Sequence, residues 1–433
     1  MSEDSIRRLI DGTFPDPDGG PALTVPVRSV VIADTLEDEE RDLVAALGLG
    51  GRLAVVSDPT THRVLGQRVA RALSGLAKID EFMLPERPCA DAKTVERIRR
   101  AGASFDALVA IGSGTINDLC KYAAALDGKP YVVFGTAPSM NGYTSVNAAI
   151  TVDGHKKSLS ARAPEGVFLD LSVLAAAPPR MIRSGLGDSL CRPTAQVDWL
   201  LANMLRGEPY RETPFTLLAD DEAELFEAGA ALLSSDLEAM RRLARTLVLS
   251  GFGMTICGGS MPASQGEHLI GHYAEMRADP SWPPSFHGEQ IGVTTLTMAR
   301  LQEAMLDGAA PRIVGGDPGK AAVLAHFGAE IGPACWREFE PKRVASSRIR
   351  EINDRLSDNW ERLRARADQC RRPAAYLEQV LVQAGAPVRS EDLGWTPGFY
   401  RDAVRHAREI RNRYTFLDLA AQSDRLESFV AAL

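Results

Sequence analysis

The feature that most constrains the fold is an alternation that runs through the first 180 residues and then stops. Short apolar runs at residues 29–33, 52–56, 107–111, 131–134 and 167–169 are separated by stretches with helical spacing, among them 59–76 and 92–102. Strand followed by helix, repeated, predicts a parallel sheet covered on both faces. After Pro178-Pro179 the strand-like runs nearly vanish. Ala, Leu, Arg and Glu then recur at helical spacing as far as Leu433, as in residues 222–232, 237–249 and 289–306. The expected division is therefore an α/β domain over residues 1–180 and an all-α domain over 181–433, in keeping with two domains for 433 residues. The cleft between two such domains is a common place for an active site.

Composition narrows the function classes. Hydrophobic residues make up 45% and charged residues 24%, enough for a sizeable core and unlike a disordered or fibrous chain. A net charge of −8 gives nucleic acid little to hold, so a phosphorylated partner would need a local cluster of cations. The apolar runs are too short to cross a bilayer. Behind Arg7 and Arg8 lies no apolar stretch of the kind a secretory leader needs. Cys89, Cys120, Cys191, Cys257, Cys335 and Cys370 form no Cys-x-x-Cys pair and read as reduced, mostly buried thiols. These features together predict a cytoplasmic protein that neither binds nucleic acid nor inserts into a membrane.

Two local patterns carry chemistry. The run at 107–111 passes directly into Gly112-Ser-Gly-Thr-Ile-Asn-Asp118 and a helix over 119–126. Two glycines at a strand-to-helix turn admit a ligand close to the backbone, and the helix start offers free N–H groups to an anion. This is pyrophosphate-cradle chemistry, although the spacing is not Gly-x-Gly-x-x-Gly. Asp58, just past the run at 52–56, is placed either to accept hydrogen bonds from an adenosine ribose or to cap the helix opening at Pro59. The second pattern is a cluster of imidazoles. Of seven histidines, His268, His272 and His287 fall within twenty residues, the first two four apart on one helix face. With one carboxylate they make a plausible divalent-metal site, and Asp188, in Gly185-Leu-Gly-Asp188, is the candidate, with a helix N-cap as its plain structural alternative.

In combination these segments resemble one family. Gly112-Ser-Gly-Thr-Ile-Asn-Asp118, Thr136-Ala-Pro-Ser-Met-Asn-Gly-Tyr-Thr-Ser145, Asp153-Gly-His-Lys-Lys157, Gly187-Asp188, Gly266-Glu-His268 with His272, and Phe286-His287-Gly288 are similar, in this order, to the sn-glycerol-1-phosphate dehydrogenases. The resemblance runs from about residue 30 to about residue 300. It implies a dehydroquinate synthase-like fold, shared with iron-containing alcohol dehydrogenases, in which a Rossmann-like N-terminal domain precedes a helical one. It also implies NAD or NADP as cofactor, self-association, and reduction of dihydroxyacetone phosphate to sn-glycerol 1-phosphate. By this resemblance Gly112, Ser113, Gly114, Thr115 and Ile116 hold the pyrophosphate, and Thr136, Ser139 and Ser145 meet the nicotinamide half. Asp188, His268 and His287 bind one divalent metal, zinc ahead of nickel or iron, and His272 faces the substrate. Three protein ligands leave a coordination position open for the ketone oxygen. Lys156, Lys157 and Arg162 are the cations that could meet a phosphate. An acidic Asp58 leans toward NAD, since it would repel a ribose 2′-phosphate.

Two positions depart from the family pattern. Asn141 stands where the family has an aspartate that contacts substrate, removing a charge and a proton acceptor. Arg192-Pro193 follows Asp188 where the family has a lysine. Arginine keeps the charge in a planar fork, and Pro193 is tolerable only in a first helical turn. Both changes point toward a shifted substrate, another phosphorylated or phosphonylated carbonyl. A cyclase of the dehydroquinate synthase kind, using NAD transiently, and a non-catalytic metabolite-binding protein are the competing readings.

Overall fold

In the computed structural model, which describes residues 4–234 and 236–433, all five predicted runs are strands. The first three residues of the stretch tested for a leader lie outside the described residues. The strands are β1 (Ser29–Ala33), β2 (Arg52–Ser57), β3 (Lys78–Met83), β4 (Ala107–Gly112), β5 (Tyr131–Gly135), β6 (Asn147–Val152), β7 (His155–Ser160) and β8 (Gly166–Asp170). Six of them form one sheet in the order β1-β8-β5-β4-β2-β3, with every neighbouring pair parallel. β4, β5 and β8 are buried at every position and β2 at all but its first residue, because helices cover both faces. That double burial is what makes their sequences continuously apolar.

The strands absent from the sequence reading are those without such burial. β3 is one of the two sheet edges, and its Lys78-Ile-Asp-Glu-Phe-Met83 mixes charge with apolar residues. β6 and β7 form a separate two-stranded sheet. Their two-residue connection is Asp153-Gly154, with φ of 51° and 73°, the left-handed pair a tight hairpin turn requires. An Asp-Gly signal was thus present in the sequence.

The strand order also positions the ligand side of the sheet. From β2 the chain moves outward to β3, then returns to β4 on the other side of β2. The sheet therefore has its topological switch point at the carboxyl ends of β2 and β4, the usual ligand crevice of such sheets. Asp58 and Gly112 lie at those two ends.

The chain divides into two compact units. One comprises Met1–Val152, Lys157–Ser189 and Glu212–Ser260; the other comprises Asp153–Lys156, Leu190–Arg211 and Met261–Leu433. A single boundary near residue 180 does not describe this division, because the helices Pro179–Ser189 and Leu237–Ile256 belong with the sheet. Arg241 of the longer helix donates to the Ile32 carbonyl at 3.0 Å and pairs with Asp34 at 2.6 Å, tying it to the end of β1. Helical periodicity identifies a helix but not the surface it covers.

The second unit is helical. Its core gathers Leu201, Leu269, Phe339, Trp360 and Phe416 from five helices. Asp198 is fully buried there and accepts N–H groups from Gly266 at 3.0 Å and Phe416 at 2.9 Å, with the Gln302 amide at 3.2 Å. Burial, with Glu267 nearby, pushes its pKa up to about 8. One side chain thereby fixes the starts of the Gly266–Arg277 and Phe416–Gln422 helices. No helix among the described residues is long and apolar enough to cross a membrane. None of the six cysteines is in a disulfide, although only Cys120, Cys191 and Cys335 are buried.

A pair of imidazoles in this unit makes stability depend on pH. The rings of His326 and His406 stack with centroids 3.6 Å apart, and His326 Nε2 lies 2.9 Å from the Tyr273 hydroxyl. Burial and the neighbouring His406 hold His326 below the usual imidazole range. A base whose pKa falls on folding gives full stability above its unfolded value of about 6.5, and that stability is lost as pH drops through the folded value. His326→Gln should therefore lose less melting temperature than the wild type between about pH 7 and about pH 5. Thermal unfolding across that range checks this; parallel profiles would contradict it.

Candidate active site

In the first unit the cradle is built as the residue types require. β4 ends at Gly112, Ser113 occupies the cap position with no side-chain cap hydrogen bond, and the helix Gly114–Asp127 begins at once. A Cβ on Gly112 would stand 2.7 Å from Ile116 Cβ, and one on Gly114 would stand 3.0 Å from Met140 Cγ. Gly112 thus needs glycine for space alone, whereas at Gly114 the flexible Met140 side chain would have to give way. The first-turn N–H groups, including those of Thr115 and Ile116, form the donor set that an anion needs.

Asp58 fills the capping role: its Oδ1 accepts from Thr60 at 2.9 Å and Thr61 at 2.8 Å. Its Oδ2 makes no hydrogen bond among the described residues, so the cap leaves one oxygen for a ribose. Thr136 and Ser139 are nearly buried beside this turn, and the Thr136 N–H bonds the Gly112 carbonyl at 3.2 Å. Ser145 differs. Its hydroxyl lies 3.0 Å from Lys121 Nζ and donates toward the carbonyl of Gly142 or Asn147, so it serves the loop rather than open space.

Lys121 is the residue that the sequence reading missed. It is fully buried and donates to the Gly142 carbonyl at 2.5 Å and the Asn147 carbonyl at 3.0 Å, besides Ser145. It pins the whole turn from Gly142 to Asn147 to the cradle helix. A lysine three residues after Asp118, among apolar neighbours on one helix face, was the available signal.

Asp188 is not an N-cap. It sits in the last turn of the Pro179–Ser189 helix, 1% exposed, and its Oδ2 accepts the Asn141 N–H at 2.9 Å. Asn141 Nδ2 is buried without a hydrogen-bond partner among the described residues. The asparagine that replaces the family's aspartate thus lies beside the metal candidate, with an amide donor to offer.

In the second unit His268, His272 and His287 do come together. The first two lie on the buried face of the Gly266–Arg277 helix, and His287 opens the His287–Leu306 helix. Ring centroids are 5.2 Å apart for His268 and His287, 5.6 Å for His272 and His287, and 5.7 Å for His268 and His272. His268 Nδ1 lies 2.9 Å from Glu267 and His287 Nδ1 lies 3.1 Å from Glu275. An imidazole whose Nδ1 side is held by a carboxylate is the usual arrangement of a metal-ligating histidine.

Glu275 also takes Lys156 Nζ at 2.7 Å. Burial alone would raise its pKa, but the Lys156 charge and the His287 hydrogen bond hold it well below the usual carboxylate range. Burial, then the charges of Arg411, Lys156, His287 and His268, hold His272 well below the usual imidazole range, and its Nδ1 has no partner among the described residues. Ligand atoms of His272, Glu275 and His287 lie within 4.8 Å of one another.

These carboxylates give a direct expectation. Glu275→Gln leaves His287 without an anionic acceptor, and should weaken metal affinity about 10–100-fold. Titration with a competing chelator checks this; unchanged affinity would contradict it.

The other cations resolve differently from the sequence reading. Lys156 is engaged with Glu275 and Arg162 pairs with Glu165 at 2.6 Å, whereas Lys157 makes no ion pair among the described residues. Arg192 opens the Arg192–Arg206 helix, 3% exposed, with Pro193 in the first turn, the one place that suits it.

Comparison with known proteins agrees with this construction. A family model described as iron-containing alcohol dehydrogenase matches residues 31–178. The glycerol-1-phosphate dehydrogenase [NAD(P)+] of Bacillus licheniformis is 26% identical over 92% of this chain and 89% of its own length. The enzyme of that name from Pyrococcus horikoshii is 33% identical, over 63% of this chain and 78% of its own. The crystal structure of glycerol dehydrogenase from Schizosaccharomyces pombe superposes with a TM-score of 0.62 at 16% identity, covering 94% of this chain and 90% of that one. The parallel sheet with its cradle, the paired carboxylate–imidazole contacts and these relatives agree: the chain belongs to the glycerol-1-phosphate dehydrogenase family, on the iron-containing alcohol dehydrogenase fold.

Proposed function

We propose that this chain is a metal-dependent, NAD(P)-linked reductase of a small phosphorylated ketone, converting dihydroxyacetone phosphate to sn-glycerol 1-phosphate. The observation that carries the reading is the imidazole cluster, in which the His268, His272 and His287 rings converge and His268 and His287 each have Nδ1 held by a carboxylate. Asp188 is assigned as the third ligand by the family resemblance, and its buried carboxylate suits a cation. Two imidazoles and a carboxylate fit zinc first. When bound, the metal supplies Lewis acidity at the ketone oxygen and the nicotinamide supplies the hydride.

The protein's own residues supply the rest. The glycines and first-turn N–H groups from Gly112 to Ile116 take the pyrophosphate, and Thr136 and Ser139 flank the nicotinamide end. Asp58 Oδ2 accepts from the adenosine ribose, which favours NAD over NADP. His272 is neutral at pH 7 and so hydrogen-bonds the substrate without adding charge. The free amide of Asn141 is a donor for a substrate oxygen. Self-association and a cytoplasmic setting belong to the same reading, the latter supported by six cysteines that form no disulfide. A cyclase finds no support among the relatives, which are named as dehydrogenases.

Steady-state oxidation of NADH and NADPH with dihydroxyacetone phosphate, dihydroxyacetone and a phosphonate analogue tests the substrate assignment. The phosphate ester should have the highest kcat/KM. A clear preference for the phosphonate would move the assignment to the shifted substrate that Asn141 and Arg192 suggest, and a preference for dihydroxyacetone would contradict it.

A further inference from the structure

Among the charged side chains around His272, one stands apart. Lys156 is bound to Glu275 at 2.7 Å, and Glu275 is bound in turn to His287 at 3.1 Å. Arg411 has no hydrogen bond or close ion pair among the described residues, although it is half-buried. Its backbone is held in place on either side of the side chain. The adjacent Asn412 N–H donates to Glu338 at 3.4 Å, and the buried Lys342 ammonium donates to the Arg413 carbonyl at 2.6 Å. Just before it, Ala407–Glu409 packs against the Gly266–Arg277 helix that carries His268 and His272. A fixed backbone, a nearby imidazole cluster and a guanidinium given no protein partner describe a receptor for an anion that comes from outside.

The electrostatics agree. Arg411 lies within electrostatic reach of both His272 and Glu275. Burial also lowers the pKa of Arg411, with Glu338 and Glu275 acting against that shift. A half-desolvated guanidinium short of hydrogen bonds gains most from an oxyanion, whose paired oxygens match its fork.

We propose that Arg411 is the specificity residue that receives the phosphate of the substrate whose carbonyl end lies at His272. This rests on the reductase reading for the identity of the substrate, but not for the anion site itself. Of the cations first named for a phosphate, Lys156 and Arg162 are already ion-paired.

The test uses the full-length, metal-loaded chain and two variants, Arg411→Gln and Arg411→Lys, each checked for metal content and melting temperature. Calorimetric titration with inorganic phosphate should give a Kd raised roughly 10–100-fold in Arg411→Gln, the loss of one charged hydrogen-bonded contact, and partly restored in Arg411→Lys. The KM for dihydroxyacetone phosphate should rise by a similar factor, with kcat changing far less and the KM for dihydroxyacetone unmoved. Phosphate affinity within twofold of wild type in Arg411→Gln, or no phosphate binding by the wild type, would overturn the assignment. Phosphate binding that depends on Arg411, without turnover of dihydroxyacetone phosphate, would support the anion site and count against the reductase reading instead.

Discussion

Replacing His268 with alanine is expected to strip the metal from the protein and to lower kcat/KM by on the order of a thousandfold or more. The expectation follows from how this one imidazole is held. It lies 5% exposed on the helix that Asp198 anchors at Gly266, and its Nδ1 is held by Glu267 at 2.9 Å. The ring is therefore held in one orientation by a rigid chain of contacts. No neighbour takes over that role when the ring is deleted, because His272 sits a full turn away. Elemental analysis and steady-state kinetics on the purified variant check this. Wild-type metal content with activity within tenfold would remove His268 from the ligand set. Melting temperature should change much less than activity, which separates loss of a ligand from loss of the fold.

The largest effect on folding is expected at Gly185. This residue lies in the Pro179–Ser189 helix where it crosses the loop that begins at Pro138. A Cβ there would collide with the Pro138 carbonyl oxygen and stand 2.9 Å from its carbon. Both are backbone atoms and cannot swing aside as a flexible side chain would. From the other side, Gly251 of the Leu237–Ile256 helix packs on the same loop, where an added Cβ would meet the Asn141 carbonyl at 2.9 Å and collide with Thr144 Oγ1. The loop is clamped between two helices at glycine-only distances. Gly185→Ala should therefore destabilise the first unit by about 3 kcal/mol, lowering its melting temperature by roughly 6–12 °C. Because the displaced backbone leads into Asn141, which bonds Asp188, activity should fall along with stability. A melting temperature within about 2 °C of wild type would contradict the clamp, this being the shift of less than 1 kcal/mol.

These examples show what the sequence makes legible and what it withholds. Continuous apolar runs such as 107–111 announce strands because double burial demands them, and the cradle is readable because its glycines have no other use. The imidazole cluster is readable because His268 and His272 share a helix face and His287 follows closely. What stays hidden depends on partners distant in the chain. Gly185 signals tight backbone near Asp188 in the sequence, but not that Pro138 is what it packs against. Lys156 looks like a free cation until Glu275, more than a hundred residues later, is found to hold it. Arg411 lies in a helical tail where nothing in the local pattern separates it from Arg408, which is spent on Asp317 at 2.8 Å. The helix 237–256 is readable as a helix, yet its membership of the sheet unit rests on contacts such as Arg241 with Ile32 that no periodicity reports.

The central claim is that metal and nicotinamide act together in one reduction. Its most direct test is NADH and NADPH oxidation at about 340 nm, the reduced-nicotinamide absorbance, with dihydroxyacetone phosphate. The rate is compared across metal-loaded, chelator-treated and zinc-restored protein. The expected result is net oxidation matched by formation of glycerol 1-phosphate, lost on chelation and regained with the metal. Oxidation that persists unchanged in metal-free protein, or cofactor that binds in the metal-loaded protein without net oxidation, would contradict it.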